Sequence, residues 1–183
     1  MKRLLCMVAM VTLVIFSASA ALAADADAGV KGLWVKATKL PPKVFLEDMT
    51  QDDNAPYFIY SFEGNSGDGP TIAIERVAQD ESYQKILKLD TKFFIESYMS
   101  EAEAKTVKDL KFEKAEKLSA KFTYPCQIAT FTHKEMNERS VYLFIQTDPY
   151  MFTVNVTRNL NNKKYGAADV ATWLNNLELV EQE

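Results

Sequence analysis

Hydrophobic and polar positions alternate with a period of two in several stretches of this chain and change to three-and-four spacing in two others. Residues 57–63 and 71–77 are aromatic and β-branched runs on either side of a glycine-rich segment, 64–70, which predicts a β-hairpin. Within it Phe58, Tyr60 and Phe62 oppose Tyr57, Ile59 and Ser61. Ile72, Ile74 and Arg76 oppose Thr71, Ala73, Glu75 and Val77. A second hairpin is predicted over 140–147 and 150–158, turning at Asp148-Pro149. There Phe152, Val154 and Val156 share one face, and Met151, Thr153, Asn155 and Thr157 make the other more polar. One-sided alternation of this kind is typical of antiparallel strands with a solvated face.

The period lengthens between these hairpins. Tyr83, Ile86, Leu87, Asp90, Phe93, Phe94 and Tyr98 recur at helical spacing, which predicts one long helix over 81–99, extensible through Ala104, with Asp80 as its N-cap. Leu110 and Phe112 differ by two and predict an exposed strand over 109–115. Ala120, Phe122 and Tyr124 continue the alternation toward Pro125, and residues 126–133 form a further strand. Two earlier segments, beginning at Gly32 and resuming after Pro41-Pro42 over 43–49, carry strand-forming residues. At the C-terminal end Val170, Trp173, Leu174 and Leu177 mark a short amphipathic helix over 167–177.

The fold expected from this order is α+β: a largely antiparallel sheet covered by one long helix and a short C-terminal helix, in a single domain over 32–183. The order of elements toward the C-terminus resembles small domains of the PsbP and Mog1 type. That resemblance implies a sheet lying between helices; it matches no motif residues and implies no function.

The N-terminal 23 residues depart from this pattern. Lys2 and Arg3 precede an apolar run from Leu4 to Phe16, and small residues follow, with Ala21-Leu22-Ala23 satisfying the peptidase rule. These are the three regions of a secretory signal, with cleavage expected after Ala23 and the next-best position after Ala20. Cys6 precedes the apolar core and lacks the small residues that a lipoprotein signal places before its cysteine. The expected product is therefore a soluble exported protein, periplasmic or, as the alternative, secreted. Residues 24–31 read as a flexible leader. Removal of Lys2 and Arg3 takes the net charge from −4 to about −6, which argues against nucleic acid as a partner and against stable membrane insertion after processing. Export would leave Cys126 as the only cysteine, excluding an intramolecular disulfide. Its simplest role is a small buried apolar residue, with a bridge between two chains as the alternative.

Catalytic patterns are sparse. His133 is the one histidine, and no Gly-x-Ser-x-Gly turn accompanies it. It reads as a structural histidine, with a hydrolase or other enzyme using His133 as the alternative. Cys126 and His133 are seven apart and on one uninterrupted strand would face opposite sides. One cysteine and one histidine are too few for a closed zinc site. Asp48, Asp52 and Asp53, with Asn65 and Asp68 in the glycine-rich turn, supply oxygen ligands without the spacing of a calcium loop. That turn, Gly64 to Gly69, also lacks the Gly-Lys-Ser/Thr ending of a phosphate loop. No cofactor, metal or catalytic residue is expected.

The aromatic inventory offers more. Tyr57, Phe58, Tyr60, Phe62, Phe93, Phe94, Tyr98, Tyr142, Phe144 and Phe152 are expected to line a pocket between helix and sheet if they do not simply form the core, and Tyr60, Phe93, Tyr98 and Tyr142 are the candidates for ligand contact. The leading expectation is a non-enzymatic binding or interaction domain with a protein partner. A carrier of a small apolar ligand is the alternative.

Overall fold

The computed structural model of the chain describes residues 30–40, 44–50 (as backbone), 55–62, 69–79, 81 and 83–182. The expected signal peptide, most of the leader, the Asp80 cap and most of the glycine-rich turn lie outside the described residues. The element order is β1 (Gly32–Ala37), β2 (Val44–Thr50), β3 (Tyr57–Phe62), β4 (Thr71–Ala78), α1 (Tyr83–Leu87), α2 (Thr91–Tyr98), α3 (Glu101–Thr106), β5 (Val107–Lys114), α4 (Glu116–Phe122), β6 (Cys126–His133), β7 (Glu138–Gln146), β8 (Tyr150–Asn159), α5 (Ala167–Asn175) and β9 (Leu177–Gln182).

Seven strands form one antiparallel sheet in the order β2-β3-β4-β8-β7-β6-β5, and β1 pairs with β9 in a separate two-stranded ribbon. Both predicted hairpins are present. β3 pairs β4 through Tyr60↔Ile72, and β7 pairs β8 through Leu143↔Val154, each with the faces that the alternation assigned. The sheet is therefore α+β and antiparallel as expected, and it lies between helices.

One face of the sheet is closed. Phe58, Tyr60, Phe62, Ile72, Ile74, Leu143, Ile145, Phe152, Val154 and Val156 are buried under the β1/β9 ribbon, α4 and α5. Trp34 of β1 reaches the middle, its ring 5.3 Å from Phe58 and 6.2 Å from Phe152. Trp173 of α5 stacks on Phe62 at 4.7 Å. Lys121 of α4 donates to the carbonyls of Asn175 and Leu177, satisfying acceptors that the end of α5 leaves open.

Among the described residues, Arg76 is the one charged side chain buried in this layer, and its burial is complete. Its Nη1 donates to the carbonyls of Lys31 and Leu33, both at 2.8 Å, and its guanidinium lies 4.5 Å from the centre of the Tyr150 ring. Gly32, between those two carbonyls, has a φ of 79°, the left-handed conformation that glycine adopts without strain. The packed chain reaches back to Val30, which is also buried.

The opposite face is covered over part of its width. Phe94 of α2 is its hub, with ring centres of Tyr98, Phe112, Phe131, Tyr142 and Phe144 all 5.5 to 6.0 Å away. Ile86 of α1, Ala129 and Met151 complete that core.

The expected helical cover is corrected in three places. Instead of one long and one short helix there are, among the described residues, five helices, none longer than nine residues. The pattern over 81–104 is cut twice. Leu89 takes a φ of 57°, and Asp90 then caps α2, its carboxylate accepting from the Phe93 N–H. Ser100 and Glu103 form a reciprocal capping box that starts α3. The apolar stripe persists across the breaks, so periodicity alone reads as continuous.

The segment read as extended before Pro125 is instead α4, which buries Leu118 and Phe122 one helical turn apart. Thr123, at a φ of 62°, ends it. Finally, the C-terminal helix stops at Asn175. Leu177, expected on its apolar face, is buried as the first residue of β9. Among the described residues no helix is long and apolar enough to cross a membrane.

Candidate functional site

Among the described residues, the part of the second sheet face left uncovered lies across β3, β4, β8 and the near side of β7. Register fixes which side chains meet there. Tyr57 stands opposite Glu75, Glu75 opposite Thr153, Ala73 opposite Asn155, and Asn155 opposite Tyr142. Directly paired residues on one face have Cβ atoms roughly 4.5 to 5.5 Å apart, so these six form two adjoining rows. Ala73 has the smallest side chain among them, and the surface dips at it. Tyr57, Ala73, Glu75, Tyr142, Thr153 and Asn155 line a shallow pocket of about 140 Å³.

Its polar groups are arranged around Glu75. Tyr98, from the end of α2, lies beside Thr153, and Tyr142 stands opposite Asn155. Burial pushes the Tyr142 phenol up to about 12, with the negative charges of Glu103 and Glu75 adding to it. Burial likewise raises Tyr98 far above the ordinary phenol range. Both hydroxyls therefore stay protonated at physiological pH and can donate. Burial also raises the Glu75 carboxyl, because water is partly withdrawn from it. Among the described residues no ion pair to Glu75 is found; the salt bridges are Lys92–Glu96, Lys105–Glu101 and Lys111–Glu113.

The four aromatic candidates separate. Tyr60 is on the closed face, buried and stacked on Phe58 with ring centres 6.4 Å apart. Phe93 packs against the partly covered face with the Lys85 ammonium 5.1 Å above its ring. Tyr98 and Tyr142 come together, 5.7 Å apart, at the boundary between helical cover and open sheet. Tyr57 belongs to the aromatic inventory expected to line a pocket, whereas Ala73, Glu75, Thr153 and Asn155 were not singled out from the sequence. Their signal was the polar side of β8 and a carboxylate set between Ile74 and Arg76 in a strand.

Cys126 and His133 begin and end β6, whose pairing with β7 runs without a shift. At about 3.3 Å per residue they are roughly 23 Å apart. They also face opposite sides: Cys126 belongs to the closed core, and His133 follows Phe131 on the other face, its ring 4.9 Å away. Cys126 is buried and accepts no exposed role. Its thiol is pushed up to about 11 by burial, with the nearby Ser119 hydroxyl opposing the shift, and it donates to the Tyr124 carbonyl at 3.4 Å. Such a thiol is uncharged and poorly nucleophilic at neutral pH. His133 is buried at the β6–β7 turn, opposite Glu138 and Val107.

Among the described residues no three His, Cys, Asp or Glu side chains gather as metal ligands. The oxygen ligands considered for calcium fall elsewhere: Asp52, Asp53, Asn65, Asp68 and the Asp48 side chain lie outside the described residues. The chain matches no protein-family model and no curated protein.

Proposed function

We propose that this chain is an exported, non-enzymatic binding domain, and that its binding surface is the open part of the second sheet face. One observation carries the reading. The strands that bury a continuous apolar layer on one side present, on the other, a recess lined by Tyr57, Glu75, Tyr142, Thr153 and Asn155. A few convergent polar groups set among aromatic rings are the usual composition of a recognition site.

Size and edges narrow the reading. About 140 Å³ is well below the roughly 300 to 1,000 Å³ of pockets that enclose drug-sized ligands, which favours a small polar group over a lipid-like one. Strand addition at β5 is disfavoured. That edge strand carries Lys108, Lys111 and Lys114 and an irregularity between Lys108 and Lys111, both features that discourage pairing with another chain.

Backbone-amide NMR of the purified protein, screened against small polar solutes, tests the surface. Saturable shifts should concentrate at residues 57, 73, 75, 142, 153 and 155. Binders that map instead to the ribbon side, or none that touches these residues, would reject it. Export rests on the signal features of residues 1–23 and is tested separately. Protein recovered from the periplasm of an expressing bacterium should begin at Ala24; retention of Met1 in the cytoplasm would contradict it.

A further inference from the structure

The chemistry of the recess points to a particular class of ligand. We infer that it receives a small organic cation, whose ammonium or quaternary nitrogen sits against the Glu75 carboxylate beside Tyr57 and Tyr142. This rests on the reading of the open sheet face as the binding surface and goes beyond it in naming the ligand.

Charge is the first argument. Glu75 is the only formally charged residue lining the recess; the others are hydroxyls, one amide and Ala73. It is half withdrawn from water in the middle of a sheet, and among the described residues no basic side chain forms an ion pair with it. A carboxylate partly stripped of water is stabilised by an opposite charge within about 4 to 6 Å, and the open side of the recess is where such a charge can arrive. Burial as the resolved cause of the raised Glu75 carboxyl is consistent with a missing counter-charge.

The walls argue for an organic cation rather than a metal ion. A single carboxylate falls far short of the six to eight oxygens that a calcium ion takes. Aromatic rings, by contrast, attract weakly hydrated cations through their negative faces; Tyr57 stands directly opposite Glu75 on β3, and Tyr142 closes the far side of the recess from β7. Asn155 and Thr153 add oxygens that can accept N–H bonds from a primary ammonium. Ala73 sets the depth: any larger side chain there would fill the space into which the ligand head must descend.

The test is a titration of the purified protein with choline chloride, followed by backbone-amide NMR. It is set against the neutral isostere 3,3-dimethylbutan-1-ol and against sodium chloride at equal ionic strength. Choline should shift residues 57, 73, 75, 142, 153 and 155 saturably, and the alcohol should bind at least tenfold more weakly. Glu75→Gln should weaken choline at least tenfold and abolish that discrimination. Ala73→Leu should remove binding while leaving the dispersed spectrum of the folded protein. Glu81→Gln, outside the recess, should change nothing. Equal binding of choline and the alcohol, undiminished binding to Glu75→Gln or Ala73→Leu, or choline shifts mapped elsewhere would each overturn the inference. If the alcohol or another neutral solute occupies the same residues as tightly as choline, the cation is wrong and the binding surface stands. If neither choline nor any polar solute touches them, both fall.

Discussion

The two faces of the large sheet are made by the same strands and do different work. On β4, Ile72, Ile74 and Arg76 are buried under the β1/β9 ribbon, while Ala73 and Glu75 between them stay half open. On β8, Phe152, Val154 and Val156 enter the closed core, while Thr153, Asn155 and Thr157 lie on the opposite face, Asn155 and Thr157 half open. A side chain of Val, Ile or Phe removed from water stabilises by about 1.5 to 3 kcal/mol, so the closed face supplies most of what holds these strands together. The open part is thereby released from packing. It can carry a carboxylate at a position where burial disfavours its charge.

That division is open to a direct challenge, beginning with the closed face. Trp34→Ala should cost about 3 to 5 kcal/mol, because it empties the contact between the ribbon and the centre of the sheet. Urea unfolding measures it, and a loss under 1 kcal/mol would mean that the ribbon is not part of the core. Arg76→Met comes next, at about 2 to 4 kcal/mol. It removes two buried hydrogen bonds from a charged donor and leaves the carbonyls of Lys31 and Leu33 without that partner. Amide exchange in β1 should quicken in this variant more than exchange in β6 or β7. Uniform quickening would show that Arg76 does not specifically fasten the ribbon.

How much of this was legible in the sequence follows from the range of the forces involved. Alternation in 57–62 and 71–78 gave the hairpin and the identity of its faces, because a period of two leaves no freedom in side-chain direction. Periodicity failed where local capping interrupts a stripe that tertiary packing continues. Asp90 and Ser100-Glu103 are cap signatures within an otherwise continuous apolar pattern, and the Ser-x-x-Glu spacing was there to be read. Strand β9 was missed because its partner residues in β1 are 140 to 150 positions away in the chain, and no local property of Leu177–Gln182 announces that pairing. Of the recess, Tyr57 and Tyr142 were foreseen as pocket residues, with Tyr98 beside them at its edge. The role of Glu75 depends on which neighbours register brings to it across three strands, information that a single strand does not contain.

Smaller effects are expected away from the closed core. Ser100→Ala should cost about 1 kcal/mol, the usual value of an N-cap, by freeing the first turn of α3. A loss confined to the helical layer, with the ribbon amides unchanged, would sharpen the contrast between the two faces; a global loss above 3 kcal/mol would blur it. Asn155→Ser, on the open face, should stay within about 0.5 kcal/mol of the parent, as substitutions outside a packed core do.

The finest test compares two carboxyls of opposite sign. Burial raises Glu75 above its ordinary value of 4.5, so as pH rises past that value the unfolded chain releases this proton before the folded one does. Stability from this group falls over the interval, and it is fully present only below the unfolded pKa. Glu75→Gln should therefore melt with the parent at pH 3.5 and above it at pH 7. Glu103 is lowered, first by its hydrogen bonds with Ser100, so its stabilising effect is present above the unfolded pKa and lost as pH falls through the folded one. Glu103→Gln should melt below the parent at pH 7 and converge on it in acid. Thermal scans from pH 3.5 to 7.5 would show the two difference curves opening in opposite directions. Curves of the same sign would mean that Glu75 already has a cationic partner within the chain, which would remove the reason for the recess to recruit one from outside.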